Sequence, residues 1–266
     1  MSHSHSPMQP EFPPSTFWHV PLQETPLPPG HIHVWRGMVD LPPARLQACQ
    51  DTVSTDEQAR AQRLTTSKHR RRFIAARGML RHILSRYLRM PPRDLRFGVG
   101  PYGKPFLDYP AGQPLYFNMA HSHHRAVYAV SRDFEVGIDL EGNRDRTDYR
   151  RLAERICSPA ELTTLQQLPQ DTHQAAFLTC WTRKEAFVKA EGTGLAFPLK
   201  HLTVSFAPDD PPHILHIQGR PPVENQWSLV DLPLEKGFWG AVAIKGHPDL
   251  VQGWDCDLSD SSGSGE

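Results

Sequence analysis

The apolar stripe between Phe73 and Leu88 constrains the fold more than any other feature of this sequence. Its members recur at steps of three and four residues: Phe73, Ala76, Leu80, Ile83, Leu84, Tyr87 and Leu88. This period predicts a long helix with one buried face, which Pro91-Pro92 ends. Short strands are then predicted around 95–97, 105–107, 115–118, 126–131 and 136–141. A long helix beside short neighbouring strands indicates an α+β fold.

Two Ser-x-x-Glu sequences mark corresponding helix starts in the two halves of the chain. Ser54–Glu57 and Ser158–Glu161 both have the spacing of a capping box. After the second box the sequence predicts helices at 159–168 and 172–190, then strands near 201–206, 213–218, 226–231 and 239–245. The order of elements therefore repeats, and we predict two similar lobes that meet at a cleft, 30–135 and 136–250.

The two ends of the chain differ from this pattern. Residues 1–29 contain eight prolines and predict an extended arm, whereas residues 251–266 predict a flexible acidic tail. The four cysteines are scattered without a CxxC pair, and no apolar stretch is long enough for a membrane span. We therefore expect a cytoplasmic protein in a reducing compartment, without a disulfide framework.

Asp139 and Glu141 lie two residues apart in VGIDLE. On a strand such residues point to the same side, so both carboxylates face one site. Hard oxygen ligands of this kind suit Mg²⁺. A solvent-facing strand end with two acids remains the alternative.

The segment WTRKEAFVKAEGTGL (181–195) carries the next candidates. Glu185 and Lys189 share one helix face because they are four residues apart. Glu185 would complete a metal site and Lys189 would hold a phosphate oxygen, although an ordinary ion pair explains this spacing equally well. Gly192 and Gly194 would permit a tight helix exit and the close approach of a ligand.

Basic residues and histidines supply the other candidates. From 68 to 96 the chain has ten basic residues against Asp94: Lys68, Arg70, Arg71, Arg72, Arg77, Arg81, Arg86, Arg89, Arg93 and Arg96. Such a segment favours an anionic partner, or else it is a solvated helix face. Lys104 lies in a Gly/Pro-rich turn, and His121 would donate to a phosphate. A zinc site at His121 and His123 is the weaker alternative.

In this order, GKPFL, FNMAHS, VGIDLE and WTRKEAFVKAEGTGL resemble the motifs of the 4′-phosphopantetheinyl transferases of the large, surfactin-synthetase-activating type. The match covers about half the chain, from Lys68 to about Lys200. The resemblance implies two lobes related by pseudo-two-fold symmetry, each a long helix packed on a small antiparallel sheet, with coenzyme A in the cleft and a monomeric state. It also implies transfer of 4′-phosphopantetheine to a serine of an acyl or peptidyl carrier protein, with release of 3′,5′-ADP.

The resemblance also assigns roles to residues. It implies Mg²⁺ on Asp139, Glu141 and Glu185, and catalytic roles for Glu185, Lys189 and His121. The implied coenzyme A contacts are Lys68, Arg71, Arg77, Lys104, His121 and Lys189. The family commonly has serine where this chain has Ala120, so one hydroxyl donor worth roughly 0.5–1.5 kcal/mol is missing.

Charge on the substrates suggests how such an enzyme works. The carrier serine needs a base, and Glu185 is the candidate, directly or through a water. An acidic carrier would meet Arg144, Arg146, Arg150 and Arg151, unless 143–154 is an ordinary charged loop. Nucleic acid is disfavoured as a partner because three carboxylates would repel its phosphates. A metal-dependent hydrolase and a catalytically silent coenzyme A- or carrier-binding protein remain alternatives, and the carrier is not identified.

Overall fold

A computed structural model describes residues 17–21, 25–108, 114–143, 148–221 and 226–256. Its helices are α1 (Pro43–Gln50), α2 (Thr55–Gln62), α3 (Ser67–Leu88), α4 (Tyr149–Ile156), α5 (Pro159–Gln167) and α6 (His173–Glu191). Its strands are β1 (Trp18–His19), β2 (His31–Met38), β3 (Phe97–Val99), β4 (Pro105–Leu107), β5 (Tyr116–Ser122), β6 (Arg125–Ser131), β7 (Val136–Gly142), β8 (Leu202–Val204), β9 (Ile214–Ile217), β10 (Trp227–Asp231), β11 (Phe238–Lys245) and β12 (Leu250–Asp255). The predicted α+β class is confirmed.

The larger sheet has the strand order β1-β12-β2-β6-β5. The long helix α3 packs on it through a core that includes Trp35, Leu80, Leu84 and Tyr128. β12 pairs in parallel with both β1 and β2, while β2-β6-β5 is antiparallel. The prediction of a small antiparallel sheet is therefore wrong for this half, because a strand from the C-terminal end of the chain joins it.

That strand also corrects the predicted tail. Residues 251–255 belong to β12, with Val251 buried between the sheets and the Trp254 ring 6.0 Å from that of Trp35. Burial of these apolar side chains outweighs the acidic character of the sequence that follows. The rest of the predicted tail, 257–266, lies outside the described residues. In the predicted N-terminal arm, Trp18–His19 forms β1, and residues 1–16 and 22–24 also lie outside the described part.

The second sheet is antiparallel, with the order β10-β11-β7. The helix α6 packs on it through a core that includes Phe177, Phe187, Trp227 and Leu229. A third core lies between the two sheets and contains Ile32, Val34, Val127, Ile138 and Val242. The two sheets are therefore joined by a shared apolar layer.

Side chains of β5 join the sheets where their strands lie side by side. Asn118 Oδ1 accepts a hydrogen bond of 3.1 Å from the Ile138 N–H. Ser122 Oγ accepts one of 3.0 Å from the Gly142 N–H. These two contacts bind β5 to β7, so His121 lies beside the strand that carries Asp139 and Glu141.

Both halves contain a capping box whose glutamate binds a buried cation on the long helix. Ser54 and Glu57 form the box of α2, and Arg81 Nε on α3 donates to Glu57 Oε2 over 2.7 Å. Ser158 and Glu161 form the box of α5, and Lys184 Nζ on α6 lies 2.5 Å from Glu161 Oε2. The strand orders β2-β6-β5 and β7-β11-β10 also correspond. The halves thus repeat one arrangement, and a two-fold axis between them remains a prediction.

Candidate functional site

Two adjoining cavities lie between the halves, each of about 420 Å³. The acid pocket is lined by Asp139, Glu141, Trp181, Glu185 and neighbouring residues of β5 and β7. The basic cleft is lined by Arg60, Arg77, Lys104 and apolar side chains such as Phe73 and Tyr102. Met119, His121 and Lys189 line both. The structure thus brings together the three predicted metal ligands and four of the six predicted coenzyme A contacts.

A glycine on β7 sets how closely α6 approaches the acids. A Cβ at Gly137 would lie 2.1 Å from the Ala186 oxygen and 2.2 Å from the Ala190 nitrogen. The helix backbone therefore rests directly on the strand, which only glycine permits. Glu185 and Lys189, one turn apart, consequently face the pocket beside Asp139 and Glu141.

Asp139 is almost fully buried, with 5% of its surface exposed. Its Oδ1 atom lies 2.5 Å from Lys189 Nζ, which also donates to the Ile138 carbonyl over 3.2 Å. Its Oδ2 atom is buried without a hydrogen-bond partner among the described residues. A buried polar atom left unpaired costs about 1–3 kcal/mol. This oxygen is accordingly a place where a cation would be stabilising.

The charges in the acid pocket shift the pKa of two predicted catalytic groups. Burial raises the pKa of Glu185, the charge of Asp139 raises it further, and Lys189 opposes both. Desolvation lowers the pKa of His121, and the positive charges of Lys189 and Arg72 contribute. Glu185 is thus a stronger proton acceptor than an exposed glutamate, and His121 favours its neutral form.

The donor set of the acid pocket matches the chemistry of Mg²⁺. Asp139, Glu141 and Glu185 all contribute carboxylate oxygens, the hard ligands that this ion prefers. The unpaired Oδ2 atom of Asp139 supports the same conclusion. These residues therefore fit a magnesium site.

A different group has the closest spacing of potential ligand atoms. Within the described ranges, Cys157, Glu161 and Cys180 have ligand atoms within 4.8 Å of one another, which the three acids do not. However, the oxygens of Glu161 already accept from Lys184, the Ser158 N–H and the Val204 N–H. The histidines that suggested zinc diverge, since His123 lies at a turn with φ of 51° and its ring contacts Phe238.

Two of the predicted coenzyme A contacts also have protein partners. The guanidinium of Arg77 forms an ion pair of 2.5 Å with Glu57 and lies 4.9 Å from the Phe97 ring centre. Lys104 Nζ donates to the Ala190 carbonyl over 2.7 Å, and burial lowers its pKa. These contacts fix both side chains at the wall of the basic cleft.

Lys68 and Arg71 lie in the first turn of α3, exposed to solvent, and line neither cavity. Sequence reasoning missed Arg60, which lies in the last turn of α2 and lines the basic cleft. No motif surrounds Arg60. The only available signal was its place on the helix that the first capping box begins.

The β3–β4 hairpin covers the C-terminal end of α6. Gly192 and Gly194 have φ angles of 72° and 54°, and added Cβ atoms would lie 3.2 Å from the Lys104 side chain and the Tyr102 carbonyl respectively. The sequence predicted close approach by a ligand at these glycines. The structure shows close approach by the hairpin, and both glycines also line the basic cleft.

The predicted carrier-docking arginines are partly described. Arg150 and Arg151 are exposed on α4, whose opposite face buries Ala153 and Ile156. The alternative of an ordinary charged loop is therefore wrong for 149–154. Arg144 and Arg146 lie outside the described residues. Cys49, Cys157, Cys180 and Cys256 are free, and no helix in the described part is long and apolar enough to span a membrane.

Two family models match the chain. One, described as the 4′-phosphopantetheinyl transferase superfamily, matches residues 135–243, and the other, 4′-phosphopantetheinyl transferase, N-terminal, matches residues 42–133. The chain is 39% identical over 234 residues to 4′-phosphopantetheinyl transferase HetI of Nostoc sp., covering 85% of this chain and 95% of that protein. It is 27% identical over 205 residues to 4′-phosphopantetheinyl transferase Sfp of Bacillus subtilis, covering 75% and 85%.

Among solved structures, the chain is similar to holo-[acyl-carrier-protein] synthase of Thermotoga maritima. That similarity has a TM-score of 0.33 and 20% identity, and it covers 42% of this chain and 64% of that one. It is too distant to support an argument. The sequence relatives and family models are sufficient, however: the chain belongs to the 4′-phosphopantetheinyl transferase family. Enzymes of this family use coenzyme A and transfer phosphopantetheine to carrier proteins.

Proposed function

We propose that this chain transfers 4′-phosphopantetheine from coenzyme A to a serine of an acyl or peptidyl carrier protein, with Mg²⁺ held by Asp139, Glu141 and Glu185. The observation that carries the magnesium assignment is the buried, unpaired Oδ2 atom of Asp139 in a pocket that contains two further carboxylates. Bound Mg²⁺ would neutralise charge on the pyrophosphate.

Coenzyme A lies in the basic cleft in this proposal. Its pyrophosphate needs cations and neutral donors, and Lys189 and His121 line both cavities, where the cleft meets the acids. Arg60 and Arg77 provide positive charge along the cleft wall. Lys68 and Arg71 lie at the start of α3, where a helix terminus favours anions, so they suit the 3′-phosphate.

The reaction forms one O–P bond and breaks another. The carrier serine oxygen attacks the phosphorus nearest the pantetheine, and the bond from that phosphorus to the bridging oxygen breaks, releasing 3′,5′-ADP. Lys189 Nζ has three protons, and its contacts with Asp139 and Ile138 use two. The third is directed to a phosphate oxygen, where it stabilises the charge that develops on the leaving group.

Glu185 takes the serine proton. Its pKa is raised by burial and by Asp139, which brings its proton affinity closer to what a general base needs near neutral pH. His121 is neutral at that pH because its pKa is lowered, so it donates one N–H to a phosphate oxygen.

The carrier docks on the face that α4 presents beside the acid pocket. Arg150 and Arg151 are exposed there, and positive side chains steer an acidic partner. Trp181 forms a wall of the acid pocket and lies on the same side, next to Phe177 and Tyr149. Action as a cytoplasmic monomer completes the proposal.

The test is the intact mass of an apo carrier protein after incubation with the chain and coenzyme A. With Mg²⁺ the carrier gains the mass of one phosphopantetheine, and with EDTA it gains none. The matched control is Arg150→Glu, which should raise the KM for the carrier and leave coenzyme A binding intact. Tight binding of coenzyme A without a mass gain on several carrier classes would contradict the transfer and indicate a silent binder.

A further inference from the structure

Lys184 is a charged side chain enclosed completely by protein, with 0% of its surface exposed. Its ammonium group has three protons and three acceptors. They are the Ile156 carbonyl at 3.0 Å, the Leu199 carbonyl at 3.0 Å and Glu161 Oε2 at 2.5 Å. The group is therefore satisfied in every direction, as a buried ammonium must be.

Glu161 is equally enclosed, with 1% of its surface exposed. Its Oε2 atom also accepts from the Ser158 N–H over 2.7 Å, and its Oε1 atom accepts from the Val204 N–H over 2.8 Å. The pair thus joins the end of α4, the start of α5, the turn Leu199–His201 and β8 to one point on α6. That point is the residue directly before Glu185.

The opposite side of α6 rests on β7. At Gly137 the strand meets the helix backbone without an intervening side chain. The helix is therefore held from two sides, by the Glu161–Lys184 pair behind it and by the strand that carries Asp139 in front. A shift of α6 along its axis would break three bonds of Lys184 and move Glu185 and Lys189 together.

We propose that the Glu161–Lys184 pair is the positioning element that fixes Glu185 and Lys189 opposite Asp139 and Glu141. The inference rests on the proposed roles of those four residues. Lys184 does not line the acid pocket, so it acts through α6 and does not touch the substrate.

Stability alone does not explain such a pair. Removing two charges from water costs several kcal/mol per ion, and replacing a buried pair with apolar residues is often neutral or stabilising. What three directed bonds supply, and apolar contact does not, is a fixed register of the helix. A displacement of 1 Å at reacting groups costs on the order of a hundredfold in rate.

The test compares the double variant Lys184→Met/Glu161→Gln with the wild-type chain. It removes both charges, so no bare carboxylate stays buried. We expect a folded protein whose kcat falls by about tenfold or more and whose half-saturating Mg²⁺ concentration rises, while the KM for coenzyme A changes little. Calorimetric titration of Mg²⁺ should show the weakened metal affinity independently of turnover.

Arg81→Met is the matched control. Arg81 is equally buried and also binds a capping-box glutamate and two carbonyls, but it lies on α3, away from the acids. Glu57 keeps Arg77 as its cation in this variant. Loss of thermal stability without a change of kcat or Mg²⁺ affinity is expected here. An equal loss of kcat in both variants would show a general packing effect and overturn the positioning role.

A second variant protects the test against misfolding. If the double variant does not fold, Lys184→Arg preserves the charge but places a longer, planar group between Glu161 and the two carbonyls. Reduced kcat with weakened Mg²⁺ affinity in that variant supports the proposal. Wild-type values for both quantities contradict it, although carrier loading by the wild-type chain would still support the proposed function. Failure of the wild-type chain itself to load carriers would refute the function instead.

Discussion

The two halves of the molecule share their framework and differ in the groups that face the cleft. Arg81 on α3 and Lys184 on α6 both bind the glutamate of a Ser-x-x-Glu box and two backbone carbonyls. The N-terminal half, however, presents the cation Arg77 to the cavities, whereas the C-terminal half presents Glu185 and Lys189. A repeated framework thus holds different chemistry in its two copies.

The strands under the two helices show the same contrast. β7 carries Asp139 and Glu141 toward the acid pocket and lets α6 rest on Gly137. β2 carries His33 and Trp35 under α3, where both bind the Tyr87 hydroxyl. The polar groups of β2 are thus used inside the core, and those of β7 at the surface of a cavity. The C-terminal half is where we expect the reaction to be controlled.

The largest effect is expected at Glu185. Glu185→Gln removes the proposed base and a proposed metal ligand, so kcat for carrier loading should fall by about 10²–10⁴-fold. The corresponding position on α3 is His82, directly after Arg81, and His82→Gln should leave kcat unchanged. Steady-state kinetics on both variants would sharpen the comparison. Full activity of Glu185→Gln would remove Glu185 from the mechanism.

The N-terminal half should be the more sensitive to acid. Burial lowers the pKa of His33 to about 4, with a smaller contribution from His31. Because this folded-state pKa lies below the ordinary value of 6.5, the stabilisation is complete above pH 6.5 and is lost as the pH falls toward 4. The loss amounts to roughly 3 kcal/mol.

Urea unfolding of the wild type and of His33→Asn across this pH range measures that loss. The amide oxygen of asparagine can accept from Tyr87 without titrating, so the variant should lose less stability between pH 6.5 and 4. Parallel pH profiles for the two proteins would show that His33 is not the group responsible.

Glycines that permit close packing give the next comparison. A Cβ at Gly137 would meet the α6 backbone at 2.1 Å, and one at Gly78 would meet Cys49 on α1 at 2.4 Å. Each change to alanine should cost about 1–3 kcal/mol through overpacking. Only Gly137→Ala should also lower the activity per folded molecule, because only it displaces Glu185 and Lys189. Thermal midpoints and active-site-normalised rates test this, and equal rates in the two variants would break the contrast.

The smallest effects concern the two capping boxes. Ser54→Ala and Ser158→Ala should each cost about 1 kcal/mol of unfolding free energy. We expect the larger loss at Ser158, whose hydroxyl also accepts from Thr203 over 3.0 Å. Chemical denaturation would resolve the difference, and a larger loss at Ser54 would mean that burial around the second box contributes little.

Local patterns were sufficient to predict both long helices, both capping boxes and the acids. The stripe from Phe73 to Leu88 and the spacing of Asp139, Glu141, Glu185 and Lys189 are all short-range signals. β2 was missed because both of its faces are buried, with Ile32 toward one core and Trp35 toward another, so it lacks a polar and apolar alternation.

Contacts between distant residues were not predictable. The capping boxes identified Glu57, but not that its second task is to bind Arg81, 24 residues away. Nor did any local signal show that Lys104 would bind the Ala190 carbonyl, or that β12 would enter the larger sheet. Such contacts depend on tertiary packing, which outweighs local preference.

The most direct test of the account is a crystal of the chain grown with coenzyme A and Mn²⁺, in which anomalous scattering locates the metal. The account predicts one strong peak in the acid pocket, coordinated by Asp139, Glu141 and Glu185. A peak at Cys157, Glu161 and Cys180 instead, or no peak beside the pyrophosphate of bound coenzyme A, would contradict it.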